Sequence, residues 1–381
     1  MIRRLAGLLL IALSAMTASA SKLPPVLPLG SPLPDFSLPG VDGKTYTPAD
    51  FAKAKLLLVV FTCNHCPTAQ AYEGRIKAIT ADYAPKGVAV LAINPNSAEA
   101  VRLDEMGYGD LGDTFDEMKI RAADHHFNFP YVYDGDTQEV VTKFGAIATP
   151  HVYIFDQDRK LRFQGRIDNS EREDLVKAHD TRDALDALLA GQEPAVTHTR
   201  VFGCSIKWKD KIADNERWRA KVAREPVSLA TVDAAGLKAL RANADSGKVR
   251  LVNFWATWCG PCVSEFDELI EQNLRFRQRG FELVTVAAQF PDEQPKVLKF
   301  LQDHHASVRN LIFGDTDKYA LIEAFDPDWN GELPYTLLIG ADGKVLYRES
   351  GSIDFLAIRR AIVPAIDQLT PWMNRDKSYE R

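Results

Sequence analysis

The sequence has no surplus of positive charge, few cysteines and few long apolar runs. Its formal net charge is −6 and its pI is near 5.8, which argues against a nucleic-acid partner, because nucleic-acid-binding domains carry a basic surplus. Only five of the 381 residues are cysteines, too few to staple a large fold with disulfides. The one long apolar run lies at the N-terminus, and the composition of the rest is that of soluble globular domains.

The N-terminal segment has the pattern of a secretory signal. Arg3 and Arg4 give it a positive start, residues 5–16 are apolar, and the Ala-Ser-Ala of 18–20 is a small-residue cleavage site. The apolar stretch is shorter than the roughly 20 residues that a membrane span needs. We therefore predict that residues 1–20 are removed on export, which leaves a soluble periplasmic protein. Retention of the segment as a membrane anchor is the alternative.

The same order of elements occurs twice along the chain. In each copy an apolar run leads into a C-x-x-C motif, a stretch of helical spacing follows, and further strands come after it. The length suits two domains of about 150 residues each. Strands that alternate with helices predict an α/β class, two tandem folds with a central mixed sheet flanked by helices. The expected limits are a signal peptide at 1–20, a first domain at 21–192, a charged linker at 193–226 and a second domain at 227–381.

Four of the five cysteines form the two C-x-x-C pairs, Cys63 with Cys66 and Cys259 with Cys262. Each pair lies where a strand gives way to a helix, and unpaired N–H groups and the helix dipole favour a thiolate there. We therefore expect the first cysteine of each pair to have a lowered pKa and to act as the nucleophile. The second cysteine is placed to attack the resulting mixed disulfide and release the substrate.

Two prolines recur at matched places in the second half of each copy. Pro150 and Pro334 are each followed directly by a strand-like run. A cis-proline that faces the C-x-x-C motif would leave the neighbouring backbone free to pair with a bound peptide. We interpret both prolines as parts of the active sites, and a loop proline is the alternative.

The motifs resemble those of a known family. The second copy, with Asn-Phe-Trp-Ala-Thr-Trp-Cys-Gly-Pro-Cys at 253–262, resembles the TlpA/ResA-like branch of the thioredoxin family. The first copy resembles the redoxin (AhpC/TSA-like) branch through 34–38, Phe-Thr-Cys-Asn-His-Cys-Pro at 61–67 and Gly-Cys-Ser-Ile-Lys-Trp at 203–208. The resemblance implies a thioredoxin fold and disulfide exchange with protein thiols and disulfides. It also implies a thiol-handling membrane protein as electron donor or acceptor, and no bound cofactor.

The resemblance also suggests roles for residues beside the cysteines. Glu265 falls where TlpA/ResA-like proteins carry a glutamate, and it is a candidate proton acceptor for Cys262; a solvated helix carboxylate is the alternative. Thioredoxin has a buried aspartate where this chain has Asn253. We expect Trp255 and Trp258 to pack beside the thiols, to limit their contact with solvent and to shape the binding groove.

The first pair is expected to be the more oxidising one. His65 stands between its cysteines, where the DsbA-type motif also has a histidine, and an imidazole there favours the Cys63 thiolate and the reduced form. The Gly-Pro of the second pair is that of the reducing thioredoxin. We therefore predict net reduction of substrates, with electrons passing from the second pair to the first. A solvated surface position for His65 is the alternative.

Three further interpretations stay open. A shared four-cysteine zinc site is disfavoured because each pair has its own strand and helix, but a copper- or haem-handling module could use Cys63, Cys66, His65 and His151. A peroxidase is the second rival, although the first copy lacks the P-x-x-x-T-x-x-C pattern of peroxiredoxins. The odd cysteine, Cys204, is a relay of electrons between the domains, a thiol that forms a mixed disulfide, or an inert thiol in a linker.

Overall fold

The structure is a computed structural model that describes residues 23–244, 246–315 and 317–369. The predicted signal peptide at 1–20 lies outside the described residues. Within those ranges no helix is both long enough and apolar enough to cross a membrane.

The N-terminal part of the chain alternates strands with helices, as the pattern predicts. Its elements, in chain order, are β1 (Leu38–Pro39), β2 (Thr45–Tyr46), β3 (Leu56–Phe61), α1 (Pro67–Tyr83), β4 (Val88–Asn94), α2 (Phe115–Asp124), β5 (Tyr131–Tyr133), α3 (Glu139–Phe144), β6 (Ala148–Thr149), β7 (His151–Phe155), β8 (Leu161–Gly165) and α4 (Asp180–Leu189). A connecting part follows, with β9 (Cys204–Ser205) and α5 (Ile212–Val222).

The C-terminal part repeats the alternation. Its elements are β10 (Ala230–Val232), α6 (Ala234–Ala242), β11 (Val249–Trp255), α7 (Gly260–Phe276), β12 (Phe281–Ala287), α8 (Gln294–Asp303), β13 (Arg309–Phe313), α9 (Lys318–Phe325), β14 (Tyr335–Ile339), β15 (Val345–Ser350) and α10 (Phe355–Leu369).

Two mixed sheets organise these elements; they share a five-strand core topology, and the second has the additional edge strand β10. The first has the strand order β5-β4-β3-β7-β8, and the second has the order β10-β13-β12-β11-β14-β15. In each sheet a central strand, β3 or β11, pairs in parallel with the next strand on one side and antiparallel with a later strand on the other. The predicted fold class, two tandem thioredoxin-like α/β folds, is therefore confirmed.

The central strands are buried along their whole length because helices cover both faces of the sheets; β3 is wholly apolar, and β11 is apolar except for Arg250 and Asn253. Every residue of β3 and of β11 is buried, which is the pattern of a strand with no solvent-facing side. Each fully buried leucine or valine contributes roughly 1.5–3 kcal/mol relative to exposure. The two strands are thus held firmly in the core, and each C-x-x-C motif follows the C-terminal end of one of them.

The segment between the two sheets, predicted to be a charged linker, is packed rather than free. Ile206 is 3% exposed and lies in the core beside β3. The backbone N–H of Lys207 donates to Asn96 at 2.8 Å, and the Lys207 carbonyl accepts from the N–H of Ser97. The limits given to the domains remain a prediction, but the stretch around residue 206 belongs structurally to the first sheet.

The two units contact each other at the C-terminal end of α7. The Arg275 guanidinium donates to the carbonyls of Met106 and Gly109 at 3.1 and 2.8 Å, and Arg279 donates to the carbonyl of Gly107 at 2.8 Å. Residues 106–109 belong to the long insert between β4 and α2. This insert therefore touches the second unit while it also borders the first C-x-x-C motif.

Candidate active site

Both matched prolines follow a cis peptide bond, Thr149–Pro150 and Leu333–Pro334. The geometry that the sequence predicted is thus present in both units. In the first unit the residue before the proline touches the thiols: Cys63 Sγ lies 3.2 Å from Thr149 Oγ1, and Cys66 Sγ lies 3.6 Å from the Thr149 carbonyl. The cis-proline loop therefore borders the first C-x-x-C motif in space.

The register of the two sheets shows which residues of the two copies are equivalent. The residue after each cis-proline pairs with a phenylalanine of the central strand: His151 with Phe61, and Tyr335 with Phe254. Phe61 and Phe254 therefore occupy the same place in the two folds. Positions in the two motifs can be matched by counting onward from these two residues.

This count pairs Cys66 with Cys259, because the same number of residues separates each of them from its phenylalanine. Ala69 then occupies the place of Cys262, and Cys63 occupies the place of Ala256. The two C-x-x-C motifs are thus offset by one helical turn. The second cysteine of the first motif stands where the first cysteine of the second motif stands.

The helix starts agree with this offset. Helix α1 begins at Pro67 with Cys66 as its N-cap, and α7 begins at Gly260 with Cys259 as its N-cap. The N–H of Ala69 donates to Cys66 Sγ at 3.4 Å, and the N–H of Cys262 donates to Cys259 Sγ at 3.3 Å. Each of these sulfurs replaces the side-chain oxygen of an ordinary cap.

The expectation that Cys63 has a lowered pKa at a helix start is therefore wrong. Cys63 is 2% exposed, and burial, the hydrogen bond of its thiol to Cys66 and the nearby Asp113 carboxylate all raise its pKa. The helix begins too late in the chain to reach Cys63. Proline suits the first position of a helix, so Pro67 was the sequence signal for where α1 starts.

The thiolate of the first site belongs to Cys66. Burial acts against ionisation, but hydrogen bonds with Cys204 and Cys63, the His65 charge and the Ala69 N–H outweigh it and hold the pKa of Cys66 well below its usual range. Each of these groups offers a proton or positive charge to one sulfur, which is how proteins activate a cysteine.

His65 is buried, so the alternative of a solvated surface histidine is wrong. Its Nδ1 lies 2.5 Å from Oδ2 of Asp113. Burial lowers the pKa of His65, but the charge of Asp113 and the hydrogen bond to it prevail, and the pKa is raised. Asp113 therefore favours the protonated form of the imidazole beside the thiols, and the charge of that form lowers the pKa of Cys66.

Asp113 is a site residue that the sequence reasoning missed. It is 1% exposed and accepts hydrogen bonds from Asn64, His65 and Asn96. Although burial raises its pKa, the charge of His65 and these bonds lower it to about 2. No local pattern marks Asp113, because it comes from the insert after β4 and meets His65 only in the folded chain.

The metal-site alternative has one geometric basis. Among the described residues, Cys63, His65 and Asp113 place candidate ligand atoms within 4.8 Å of one another. However, both carboxylate oxygens of Asp113 already accept two hydrogen bonds each, so its lone pairs are satisfied without an ion. We interpret the group as a hydrogen-bond network, and His151 lies outside it with its pKa lowered by burial to about 3.

In the second unit Cys259 and Cys262 form a disulfide. Asn253 is buried in β11 and its side-chain amide donates to Thr336 Oγ1 at 3.0 Å. Glu265 lies one turn after Cys262 on α7, so the two side chains share a helix face. It is 8% exposed, with one oxygen accepting the N–H of Ile353 at 2.9 Å and the other without a partner among the described residues. Burial raises its pKa.

The prediction that both tryptophans shield the thiols is half wrong. Trp255 is fully buried, with its ring 4.7 Å from that of Phe266 and 4.7 Å from that of Phe300. Trp258 is 64% exposed. Because Trp255 already fills the core beside the motif, Trp258 projects outward next to Cys259.

Cys204 lies in the first site and not in a free linker. Strand β9 pairs antiparallel with β6, so that Cys204 faces Thr149 directly before the cis-proline. Its thiol hydrogen-bonds Cys66, and this bond, burial and the Cys66 charge raise the pKa of Cys204. The first site therefore contains three thiols: Cys63, Cys66 and Cys204.

Comparison with known proteins supports the duplication. The AhpC/TSA family model matches residues 29–164, and the Redoxin family model matches residues 225–355. The thiol:disulfide interchange protein CycY of Rhizobium leguminosarum bv. viciae is 30% identical over 178 residues, which cover 44% of this chain and 90% of that protein.

Two further matches cover other shares of the chain. The thiol-disulfide oxidoreductase ResA of Bacillus subtilis is 33% identical over 107 residues, 28% of this chain and 55% of ResA. A solved structure of a hypothetical protein from Sinorhizobium meliloti is 32% identical, covers 49% of this chain and 97% of that chain, and has a TM-score of 0.43. On the strength of the match to CycY and of the two family models, this chain belongs to the thioredoxin-fold family of thiol–disulfide oxidoreductases and carries AhpC/TSA and Redoxin domains in tandem.

Proposed function

We propose that this chain is an exported thiol–disulfide oxidoreductase that reduces protein disulfides, with Cys66 and Cys259 as its attacking sulfurs. One observation carries the proposal: two sulfurs at equivalent positions each cap a helix after a central strand, in units that both contain a cis-proline. A cap sulfur receives backbone N–H bonds and the positive end of the helix dipole, which together favour the attacking thiolate.

The second site has the features of a surface that meets proteins. Trp258 is exposed beside Cys259, and Leu333, before the second cis-proline, has no strand partner among the described residues. An extended substrate segment can pair with such a free backbone, while the tryptophan contacts its side chains. Glu265 is the proposed proton acceptor for Cys262 in the resolving step.

Electrons are proposed to pass from the second pair to the first. The hydrogen bonds and the His65 charge stabilise the reduced, thiolate form of the first site, and a stabilised reduced form raises the reduction potential. Titrating the full chain against glutathione buffers, with each cysteine pair quantified by alkylation and mass spectrometry, gives both potentials. A second pair with the higher potential would overturn this direction.

Export follows from the signal-like residues 1–20, and a thiol-handling membrane protein is the proposed source of electrons. Fractionation of cells that produce the full chain, with thiol trapping, tests both points. We expect mature protein that starts near residue 21 in the periplasm, with Cys259 and Cys262 reduced. Oxidised Cys259 and Cys262 under all growth conditions would contradict a reductive role.

Turnover of insulin disulfides with dithiothreitol as reductant tests the activity itself. We expect Cys259→Ser to remove most of the turnover, because a cap sulfur is lost. Consumption of hydrogen peroxide under the same conditions tests the peroxidase alternative. Rapid peroxide consumption without insulin reduction would replace the proposed function with that of a peroxidase.

A further inference from the structure

The first site differs from the second in what lies beside its cis-proline. The residue before the second cis-proline, Leu333, has no strand partner among the described residues, whereas Thr149 pairs with Cys204 of the same chain. An antiparallel partner at this residue is what a bound peptide would supply. The chain's own β9 therefore stands in the place of a substrate strand, and it carries a cysteine there.

The approach of β9 is built into the backbone. Gly203 has a φ of +138°, and a Cβ at this position would lie 2.1 Å from the carbonyl oxygen of Thr149. Only glycine permits so close an approach without a shift of the backbone. On the other side of Cys204, Ile206 is buried in the core beside β3 and fixes the end of the strand.

The first site also lacks a resolving thiol where the second site has one. Ala69 is equivalent to Cys262, one turn into the helix from the cap sulfur. A second thiol must therefore reach Cys66 from outside α1. Cys66 itself is 0% exposed, and Cys63, which lies before the helix, is 2% exposed; Cys204 is half-buried and is held opposite Thr149.

We propose that Cys204 is the internal partner of Cys66: it occupies the substrate position of the first site and resolves the mixed disulfides that Cys66 forms with small disulfides. This inference rests on the proposed function. It also separates the two sites by substrate class, because β9 fills the edge that an extended protein segment would need. The first site then serves small or flexible disulfides, and the second site serves proteins.

The chemistry is a balanced two-electron exchange. The Cys66 thiolate attacks a disulfide R–S–S–R, forms Cys66–S–S–R and releases RS⁻. Cys204 gives up its proton, its sulfur attacks the Cys66 sulfur, the bond to R breaks, and a second RS⁻ leaves. One disulfide becomes two thiols, and the two protein thiols become a Cys66–Cys204 disulfide.

The order of these steps follows from the electrostatics. While Cys66 is a thiolate, its hydrogen bond with Cys204 and its charge keep the pKa of Cys204 raised. Once Cys66 has formed a mixed disulfide, that charge is gone and Cys204 ionises more easily. The resolving sulfur is thus suppressed before the attack and released after it.

Reaction of the reduced full chain with dithiobis(nitrobenzoate) tests the proposal, with Cys259→Ser and Cys262→Ser so that only the first site responds. We expect two nitrothiobenzoate ions per chain, one from attack and one from resolution. The further variant Cys204→Ser should stop after one ion and keep a mixed disulfide on Cys66. Cys63→Ser should still release two.

Two more variants control for structure. Gly203→Ala keeps every thiol but displaces β9, and it should slow the second release by about tenfold or more through lost proximity. Ser205→Ala, at the exposed neighbour on the same strand, should behave like the parent chain. Circular dichroism verifies that each variant is folded.

The remaining outcomes overturn the inference in distinguishable ways. If Cys204→Ser still releases two ions at the parent rate, Cys204 is not the resolving thiol, although the first site remains an exchange centre. If the parent chain releases no ion rapidly, the proposed function of the first site fails as well.

Discussion

At the scale of single residues, Asp113 affects the reactivity of Cys66 through His65. It touches no sulfur in the hydrogen-bond network but accepts from His65 at 2.5 Å, and so it acts as a positioning residue. Asp113→Asn removes the charge that keeps the imidazole protonated. We expect alkylation of Cys66 at neutral pH to slow by about tenfold, because the thiolate loses the adjacent cation.

The measurement is the alkylation rate of Cys66 against pH, followed by peptide mass spectrometry. Asp116→Asn is the matched control, since Asp116 is an exposed carboxylate on α2 that pairs with Lys119. Equal rates in both variants and the parent chain would show that His65 does not depend on Asp113 for its charge.

Glu265 gives the second residue-scale prediction, for the second site. A proton acceptor works only when it is ionised, and burial raises the pKa of Glu265. Insulin turnover should therefore rise as pH increases through that raised pKa. Glu265→Gln should remove this rise and lower turnover at neutral pH by at least about tenfold.

Glu268→Gln on the same helix is the control, because Glu268 is exposed and lies near Arg359. The pH profile distinguishes the proposed role from a purely structural one, since a merely destabilised site would lose turnover evenly at all pH values. A glutamine variant that keeps the parent profile would remove Glu265 from the mechanism.

The cysteines of the sites could be predicted from the sequence, but most residues that contact them in the first site could not. The C-x-x-C motifs and the matched prolines are local signals, and cis geometry at Pro150 and Pro334 was predictable from them. The partners of the first site, Asp113 and Thr149, lie far along the chain and meet the thiols only through the fold. An alignment of the two copies on their C-x-x-C motifs does not show the offset between them. The offset follows from the register of the sheets, which makes Phe61 equivalent to Phe254.

At the scale of elements, the start of α1 determines which sulfur attacks. Helix α1 begins at Pro67 and α7 begins at Gly260, so Ala69 and Cys262 take the same place after their caps. A cysteine introduced by Ala69→Cys should then form a disulfide with Cys66. The pair Cys259 and Cys262 has a Cα–Cα distance of 5.3 Å, which is within the range of disulfides. Because both helices start in the same way, Cys66 and a cysteine at position 69 should be separated by a similar distance.

We expect Ala69→Cys to restore two-ion release with dithiobis(nitrobenzoate) to a chain that carries Cys63→Ser and Cys204→Ser in addition to Cys259→Ser and Cys262→Ser. Ala71→Cys, on another face of α1, is the control and should leave a mixed disulfide on Cys66, whereas Ala69→Cys should leave none. Failure of Ala69→Cys in a folded protein would contradict the equivalence of the two helix starts.

Element order was the most predictable part of the fold. Apolar runs at β3 and β11, followed by helical spacing, indicated buried central strands, and both strands are buried throughout. The pairing of β9 with β6 was not predictable, because two-residue strands carry no periodicity. For that reason the segment that contains Cys204 was interpreted as a linker.

At the scale of the whole molecule, the two active sites lie apart. The first unit contacts Arg275 of α7 and Arg279, which follows this helix, and Cys259 caps the other end of α7. The rise of 1.5 Å per residue puts Arg275 about 24 Å from Cys259 along the helix axis. We infer that the two attacking sulfurs do not meet while the units are docked in this way.

Electron transfer between the pairs should therefore occur between molecules or after undocking. When one equivalent of dithiothreitol reduces the oxidised chain, we expect redistribution between the pairs at a rate proportional to protein concentration. Arg275→Gln loses bonds to the carbonyls of Met106 and Gly109 and should add a concentration-independent phase. Arg217→Gln, at an exposed arginine of α5, is the control. A concentration-independent rate in the parent chain would show that the docked sites exchange directly.

The central claim is that Cys66 and Cys259 are the attacking sulfurs of two equivalent sites. The most direct test is the alkylation rate of each of the five cysteines in the fully reduced chain, measured between pH 5 and 9 by peptide mass spectrometry. The account predicts that Cys66 and Cys259 react first and already at the acidic end, while Cys63, Cys204 and Cys262 react only as the pH becomes alkaline. Faster reaction of Cys63 than of Cys66 at low pH would contradict it.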